Sequence, residues 1–574
     1  MTRASLSMSW LLSALMLGAC GAALDDQAPQ TAANNRPNIL LIVADDLGYT
    51  DIGAFGGEIE TPNLDALASA GVRLAQFYVA PTCSPTRSML MSGTDNHLAG
   101  LGNMFEELRA NQQGHPGYEG HLSTRVAALP ELLREAGYHT YMAGKWHLGL
   151  DEDTSPAARG FERSFALVQG GAGHFDDMPL VGPKRAMYRE DGKLVQLPAD
   201  FYSSRTYSER LIEYLQTRPD DGRPFFAYLA FTAPHWPLQA PAESIAKYTG
   251  RYDAGYDALQ ASRFARLREV GLLTEGMQAV PRVPDEPAWE ALSAQEKQVA
   301  ARNMEIYAAM VDDLDHYLGT VFETLKQRGE FDNTFIFFMS DNGPEGAHLE
   351  IGWDPLGEWV AACCDNSLDN MGKPDSYVWY GPNWARAGAA PFRMFKGFTT
   401  EGGIRVPAIV HYPKTVPSGT TYRGMATVMD VLPTILELAE IEHPQTYQGQ
   451  EVLPLRGASM LPAITGARAS VHAEDYVMGW ELFGRRAIRQ GDWKIVWEPA
   501  AVAAGFQALL AAKPFDPHIT NDSWRLYNLA DDPGEQVDLA QQQPELLQTL
   551  IAEWQTYAQE TGIVLPDYDV GYAH

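Results

Sequence analysis

Residues 83–87 hold the functional groups of this chain that are best placed for chemistry, in the order Cys83-Ser84-Pro85-Thr86-Arg87. The cysteine stands at the start of a predicted helix, with a proline suited to the first turn. A helix N-terminus polarises a thiol and attracts an anion, and Arg87 adds positive charge. The alternative is a small buried cysteine beside a surface arginine, since free cysteine commonly packs as an apolar residue. The short spacing excludes the loop of cysteine phosphatases, in which cysteine and arginine are further apart.

Two pairs of oxygen-bearing side chains follow predicted strands. Asp45 and Asp46 come directly after the apolar run 38–43, and Asp341 and Asn342 follow the predicted strand 334–339. An open α/β sheet builds its site just past the carboxyl ends of its strands, and such oxygens are ligands for hard cations. Either pair alone could be a helix cap or an Asx turn. Both pairs together with residues 83–87 predict a metal site.

Positive groups occupy similar places. Lys145 and His147 follow a predicted strand at 138–142, His235 follows one at 225–231, and Lys396 lies just before 399–403. Each one alone is more typical of a surface lysine or a hydrogen-bonded structural histidine. Together they predict a local anion site, which a chain with a net charge of −30 must assemble from a few residues.

The run Cys-x-Pro-x-Arg resembles the signature of the type I sulfatases, in which the cysteine is converted after synthesis to Cα-formylglycine. Residues 80–82 and 88–94 extend the resemblance to the bacterial arylsulfatases of the alkaline phosphatase-like superfamily, and the motifs match over roughly 37–412. The resemblance implies one calcium ion. Oxygen ligands without clustered imidazoles are consistent with this, since they suit calcium better than zinc. Its implied ligands are Asp45, Asp46, Cys83 as formylglycine, Asp341 and Asn342.

The resemblance also implies a mechanism and the residues that carry it. The aldehyde at residue 83 is hydrated, and one hydroxyl, positioned by Arg87, attacks the sulfur of a small sulfate ester. Lys145 and Lys396 hold the sulfonate oxygens, and His235 with Lys396 assists the leaving oxygen. His147 then takes a proton from the second hydroxyl and sulfate is expelled. The partners implied are that substrate and a formylglycine-generating maturation enzyme.

The predicted fold is α/β, with a large, mixed, mostly parallel sheet flanked by helices and a smaller C-terminal antiparallel sheet with a helix. The predicted catalytic domain spans 36–440 and the C-terminal subdomain 441–574. The strand, helix, strand order over 38–79 predicts parallel pairing, and 404–412 is predicted to be the last strand of the sheet. An amphipathic helix is predicted around 307–325, and its Asp312, Asp313 and Asp315 are predicted to form a solvated face rather than a metal site.

The N-terminus predicts export. Its short apolar stretch is typical of a signal peptide over 1–19, and Leu-Gly-Ala-Cys resembles a lipobox that would acylate Cys20. An ordinary secretory signal is the alternative. Residues 20–35 predict a flexible tether, so we expect a periplasmic or envelope protein that contacts the membrane only through its lipid anchor. The acidic charge argues against nucleic-acid binding.

Four cysteines are too few for a disulfide scaffold. Once Cys20 and Cys83 are assigned, Cys363 and Cys364 remain. They could form a vicinal disulfide, but two reduced thiols are the expected state.

Two other functions stay open. One is a phosphonate monoester or phosphodiester hydrolase of the same superfamily, whose members can share the formylglycine and the metal. The other is a non-catalytic lipoprotein that binds sulfated ligands. Segments 170–175 and 377–380 could wall a pocket for an aryl or alkyl group, or could be loop packing.

Overall fold

A computed structural model describes residues 36–273, 276–283, 286–348, 356–498 and 524–566, which belong to one compact unit. The predicted signal peptide, Cys20 and the tether lie outside the described residues, so the anchor stays a prediction. Within the described ranges, no helix is both long and apolar enough to cross a membrane. The predicted boundary between residues 440 and 441 also stays a prediction.

The main sheet has ten strands in the described part of the chain, in the order β10-β2-β9-β8-β1-β7-β3-β4-β5-β6. Its central strands β8, β1, β7, β3 and β4 are parallel, whereas β9 pairs antiparallel with both β8 and β2. The strands are β1 Asn38–Ala44, β2 Val72–Tyr78, β3 His139–Lys145, β4 Arg163–Leu167, β5 Tyr188–Glu190, β6 Lys193–Val195, β7 Phe225–Ala230, β8 Thr334–Ser340, β9 Arg405–His411 and β10 Thr420–Thr427.

Strands β1, β7 and β8 are nearly continuous apolar runs because helices cover both faces of the sheet. Every residue of β1, β3, β7, β8 and β9 is buried. The α-helices are α1 Pro62–Ala70, α2 Cys83–Ser92, α3 Asn96–Ala99, α4 Leu129–Glu135, α5 Ser203–Thr217, α6 Ala242–Ala246, α7 Gly255–Glu269, α8 Ala294–Gln327, α9 Leu356–Cys363, α10 Pro382–Ala389, α11 Glu401–Ile404, α12 Val431–Ala439, α13 Leu461–Ile464 and α14 Pro544–Thr561.

Two expectations about the sheet are wrong in detail. Strands β1 and β2 run in the same direction but do not pair, because β8 and β9 lie between them. Strand β9 is not the last strand, since β10 follows it and pairs with β2 in parallel at the sheet edge. Much of β10 is exposed or half-buried, so it lacks the apolar run that marks the central strands.

The aspartates of α8 do not form a solvated face. Asp312, Asp313 and Asp315 are all buried, with 6%, 5% and 1% of their surface exposed. Asp313 accepts hydrogen bonds from Tyr202 and Ser244, at 2.8 and 2.7 Å. The prediction was wrong because α5, α6 and α1 pack around this long helix, so its polar side also faces protein.

The C-terminal residues form the predicted small antiparallel sheet, and α14 packs against it. Its strands are β13 Val477–Leu482, β14 Arg485–Gln490, β15 Trp493–Trp497 and β16 Trp524–Asn528, after the short pair β11 Thr446–Tyr447 and β12 Gln450–Glu451. The guanidinium of Arg485 donates to the carbonyl of Gly397 at 2.6 Å. This sheet therefore supports the loop that carries Lys396.

Cys363 and Cys364, at the end of α9, form a disulfide in the structure. The expectation of two reduced thiols is therefore wrong.

Candidate active site

The predicted site residues converge at one edge of the main sheet. Strands β8, β1, β7 and β3 are parallel neighbours, so their carboxyl ends lie side by side. Asp341 and Asn342 follow β8, Asp45 and Asp46 follow β1, His235 follows β7, and Lys145 ends β3 with His147 just after it. Lys396 lies at the same edge because β9 runs antiparallel to β8. The loop that precedes β9, which carries Lys396, therefore lies beside the carboxyl end of β8.

Cys83 is the first residue of α2 and is 2% exposed. Its thiol donates to Asp45 Oδ1 at 3.4 Å. Burial raises the pKa of Cys83 well above its ordinary range, and the neighbouring lysines do not offset that effect. The thiol is therefore protonated and is a poor nucleophile in this state.

Arg87 is fully buried one turn further along α2. Its Nε and Nη2 donate to Asp341 Oδ2 at 2.9 and 2.8 Å, and Nη1 donates to the carbonyl of Lys145 at 2.8 Å. The guanidinium thus ties together α2, the end of β8 and the end of β3. It orients Asp341 by a charge-assisted pair from which water is excluded.

Asp45, Asp46, Cys83 and His235 bring ligand atoms within 4.8 Å of one another. Asp341 joins this group, since its Oδ1 accepts from the backbone N–H of Asp46 at 3.3 Å. Asp46 has φ of +67°, a left-handed conformation that is strained for a residue with a side chain. The surrounding contacts keep Asp46 in this conformation, which places its carboxylate beside those of Asp45 and Asp341.

Asn342 donates through Nδ2 to Asp46 Oδ1 at 2.7 Å. Its own Oδ1 is buried and has no hydrogen-bond partner among the described residues. A buried amide oxygen without a donor is costly, and a cation would satisfy it.

The two lysines neutralise this cluster. Lys145 Nζ donates to Asp45 Oδ2 at 2.7 Å, and Lys396 Nζ lies 2.8 and 3.0 Å from the two oxygens of Asp46. Burial raises the pKa of Asp45, but Lys145, His235 and Arg87 outweigh it and hold this pKa far below its usual range. Burial and the Asp45 charge raise the pKa of Asp341.

Both histidines are held at one ring nitrogen. His235 donates from Nδ1 to the carbonyl of Trp236 at 2.5 Å, while Nε2 lies 3.6 Å from Asp46 Oδ2. His147 contacts Glu106 through Nε2, at 3.0 and 3.2 Å from the two carboxylate oxygens. Burial lowers the pKa of His235 to about 4 and also lowers that of His147.

Cys83, His147, His235 and Lys396 line one small cavity, with a volume of about 50 Å³. Of the segments predicted to wall a pocket, Gly170 does line it, whereas residues 377–380 do not. Instead, Tyr377 donates to the carbonyl of Leu180 at 2.5 Å and packs on Trp236, at 5.9 Å between ring centroids. The aromatic segment therefore supports the wall from behind.

Sequence reasoning missed other residues of the wall: Met104, Glu106, Glu107, Leu180, Trp236 and Glu345. Only Trp236, beside His235, and Glu345, three residues after Asn342, carried a local signal. Glu106 lies in a turn with no motif around it.

Comparison with known proteins agrees with this geometry. The family model described as Sulfatase matches residues 37–441. The chain belongs to the sulfatase family. Relatives extend that match: an uncharacterised sulfatase of Schizosaccharomyces pombe is 46% identical over 552 residues, which cover 93% of this chain and 95% of the relative. An arylsulfatase of Klebsiella aerogenes is 40% identical over 441 residues, 76% of this chain and 94% of the relative.

Solved structures support the same fold for this sulfatase. Ps i-CgsB has a TM-score of 0.64 at 26% identity, covering 92% of this chain and 93% of that one. A sulfatase from Pseudoalteromonas sp. has a TM-score of 0.57 at 20% identity, covering 93% and 92%. The predicted α/β architecture is confirmed, and the protein is a sulfuric ester hydrolase.

Proposed function

We propose that this sulfatase hydrolyses sulfate monoesters of small apolar phenols or alcohols, using a Cα-formylglycine made from Cys83 and a calcium ion. The observation that carries the proposal is the buried contact of Cys83 with Asp45, beside Arg87 and Lys145 and on the wall of the cavity. This arrangement places a modifiable residue, oxygen ligands and cations around one point.

The state of Cys83 supports its conversion. A buried, protonated thiol that donates to a carboxylate lacks the thiolate that nucleophilic catalysis by cysteine requires. A hydrated aldehyde at residue 83 would supply a hydroxyl nucleophile instead. Arg87 and Lys145 flank this residue and would hold that hydroxyl and the sulfonate oxygens by charge-assisted hydrogen bonds.

The donor set fits a hard cation. Asp45, Asp46, Asp341 and Asn342 supply only oxygens, and the orphaned Oδ1 of Asn342 is a ligand without a partner among the described residues. A calcium ion held by these residues would supply Lewis acidity and stabilise negative charge on the sulfate ester. Asp341 keeps its orientation through Arg87, so the ligand geometry does not depend on the ion alone.

His235 and Lys396 both line the cavity, and we assign them to the leaving oxygen. Because Nδ1 of His235 is committed to the Trp236 carbonyl, Nε2 is the nitrogen free to serve the leaving group. An anionic ester bound beside this ring favours its protonated form, which could then donate a proton.

The cavity wall favours an apolar leaving group. Met104, Leu180 and Trp236 give the wall its apolar surface, and Lys396 also lines it. The other charged groups on that wall, Glu106, Glu107 and Glu345, are acidic. A second sulfate or a carboxylate on the leaving group would meet repulsion there.

Mass spectrometry of the tryptic peptide Leu74–Arg87 tests the central claim. Protein matured with a formylglycine-generating enzyme should carry the aldehyde at residue 83 and hydrolyse nitrophenyl sulfate. Cys83→Ser, matured in the same way, should stay folded and lose nearly all turnover. An active preparation whose peptide contains only intact cysteine would refute the mechanism. A kcat/KM that is higher for an aryl phosphonate monoester than for the matched sulfate would favour the phosphonate hydrolase instead.

A further inference from the structure

Glu106 holds the ring of His147 although the two residues lie 41 positions apart. Glu106 belongs to the short 3-10 turn Phe105–Glu107, and His147 follows the end of β3 with φ of +56°. Both carboxylate oxygens contact His147 Nε2, at 3.0 and 3.2 Å. The strained backbone and the carboxylate together fix where the ring lies.

Gly170 packs directly against both His147 and Glu106. A Cβ atom at position 170 would lie 2.9 Å from Cε1 of His147 and 3.2 Å from Oε1 of Glu106. Those distances are shorter than ordinary packing contacts, so any side chain at 170 would displace the ring or the carboxylate. The glycine lets the pair sit against the backbone.

The contact decides which ring nitrogen carries the proton. An ionised carboxylate can only accept hydrogen bonds, so Nε2 must be the protonated nitrogen of the neutral ring. The Glu106 side chain is 38% exposed and lies within hydrogen-bond distance of His147, so its carboxylate is ionised at neutral pH. Nδ1 then holds the free lone pair, and it is buried without a hydrogen-bond partner among the described residues.

We propose that Glu106 is a positioning residue that fixes the Nε2–H tautomer of His147 and leaves Nδ1 as the proton acceptor in the release of sulfate. The inference rests on the proposed function and on the role in sulfate release that the family resemblance implies for His147. In that step Nδ1 takes the proton of a hydroxyl on residue 83. The electron pair of that O–H bond re-forms the carbonyl, and the bond to sulfate breaks as sulfate leaves with its electrons. The imidazolium that results faces the carboxylate of Glu106, which stabilises its charge.

The chain offers a matched control on the same strand. His139, at the start of β3, contacts Glu162 through Nδ1 at 3.1 Å and also contacts Asp221 through Nε2 at 3.1 Å, whereas His147, just past the other end of β3, contacts Glu106 through Nε2. Glu162→Gln therefore removes a carboxylate from a buried histidine that lies away from the cavity. Glu106→Asp keeps the charge but shortens the side chain.

The first readout is the tautomer itself, by NMR of protein labelled with ¹⁵N at histidine. The His147 signals are identified by their loss in His147→Gln. Wild type should show a protonated Nε2 and a bare Nδ1, and Glu106→Gln should lose this preference because an amide can also donate to Nε2. A bare Nε2 in wild type would overturn the inference, whether or not the enzyme proves to use formylglycine.

The second readout is kinetic. Glu106→Gln should lower kcat for nitrophenyl sulfate about 100-fold and give a burst of nitrophenol, since the release of sulfate becomes slow. The charged groups that act on the His147 ring are Glu106, Lys145 and Arg87, and only the first favours the imidazolium. Its removal lowers the pKa of His147, so the acidic limb of the kcat profile should move to lower pH.

Partial recovery in Glu106→Asp and an unchanged profile in Glu162→Gln are the expected controls. A fall of kcat in Glu106→Gln with no burst and no movement of the acidic limb would show a merely structural role and overturn the inference. If wild type matures fully but shows no turnover of sulfate esters, the proposed function fails, and the tautomer measurement still decides the role of Glu106.

Discussion

The ion pair between Arg87 and Asp341 should be the most sensitive point of the site to mutation. Arg87→Met removes two hydrogen bonds to the Asp341 carboxylate and one to the Lys145 carbonyl, at 2.8 to 2.9 Å. Both side chains of the pair are fully buried, so Asp341 would face Asp45 without its counter-charge. Removing one partner of such a pair costs about 3 to 5 kcal/mol of the free energy of unfolding.

A bound cation should reduce that cost. Calcium at the oxygen cluster would replace part of the positive charge that Asp341 loses, so Arg87→Met should be less destabilised in saturating calcium than in EDTA. Urea unfolding followed by tryptophan fluorescence measures both values. The double variant Arg87→Met with Asp341→Asn should be more stable than the sum of the two single changes by about 1 to 3 kcal/mol, because neither charge is then left alone.

Arg263 is the matched control. It is equally buried and pairs with Asp51 and Glu58, which are not among the predicted metal ligands. Arg263→Met should destabilise the protein by a similar amount, with or without calcium. The reasoning fails if the Arg87→Met cost is the same in calcium and EDTA, or if the two single changes at the pair are additive. Wild type should also lose its activity in EDTA and regain it with calcium.

Two further predictions concern histidines. His235→Ala should slow alkyl sulfates far more than nitrophenyl sulfate, because an alkoxide needs a proton and nitrophenolate does not; equal losses over a series of leaving groups would assign His235 to positioning. His97 is buried, which lowers its pKa, but hydrogen bonds to Asp95 and Glu481 outweigh this and raise it to about 9. It therefore contributes stability that is fully present below about pH 6.5 and lost as pH rises through 9, by roughly 3 kcal/mol from the 1.36 kcal/mol per pKa unit. Urea unfolding at pH 6 and pH 9.5 should show this loss in wild type and a smaller one in His97→Gln, and an equal loss in both would exclude His97 as its source.

The sequence alone determined the parts of the site that follow from local order. Asp45, Asp46, Asp341 and Asn342 stand directly after apolar runs long enough to be buried strands. Parallel strands end at a common edge, which predicts that these side chains meet, and the tertiary structure shows that β1 and β8 are indeed neighbours. Residues 83–87 are likewise a local motif. The positions of these residues within their strands and helix could be predicted because each is set by the residues adjacent to it in the sequence.

Tertiary structure decided whatever depends on a second segment. The partner of His147 is Glu106, which no spacing rule connects to it. The aspartates of α8 are buried because three other helices surround that helix, whereas a hydrophobic period reports only one packed face. Likewise, the position of β10 beside β2 depends on pairing across some 350 residues, and an edge strand carries little apolar signal of its own. The types and order of residues therefore specified the chemistry, and packing between distant segments decided which nitrogen, carboxylate or wall residue takes part in it.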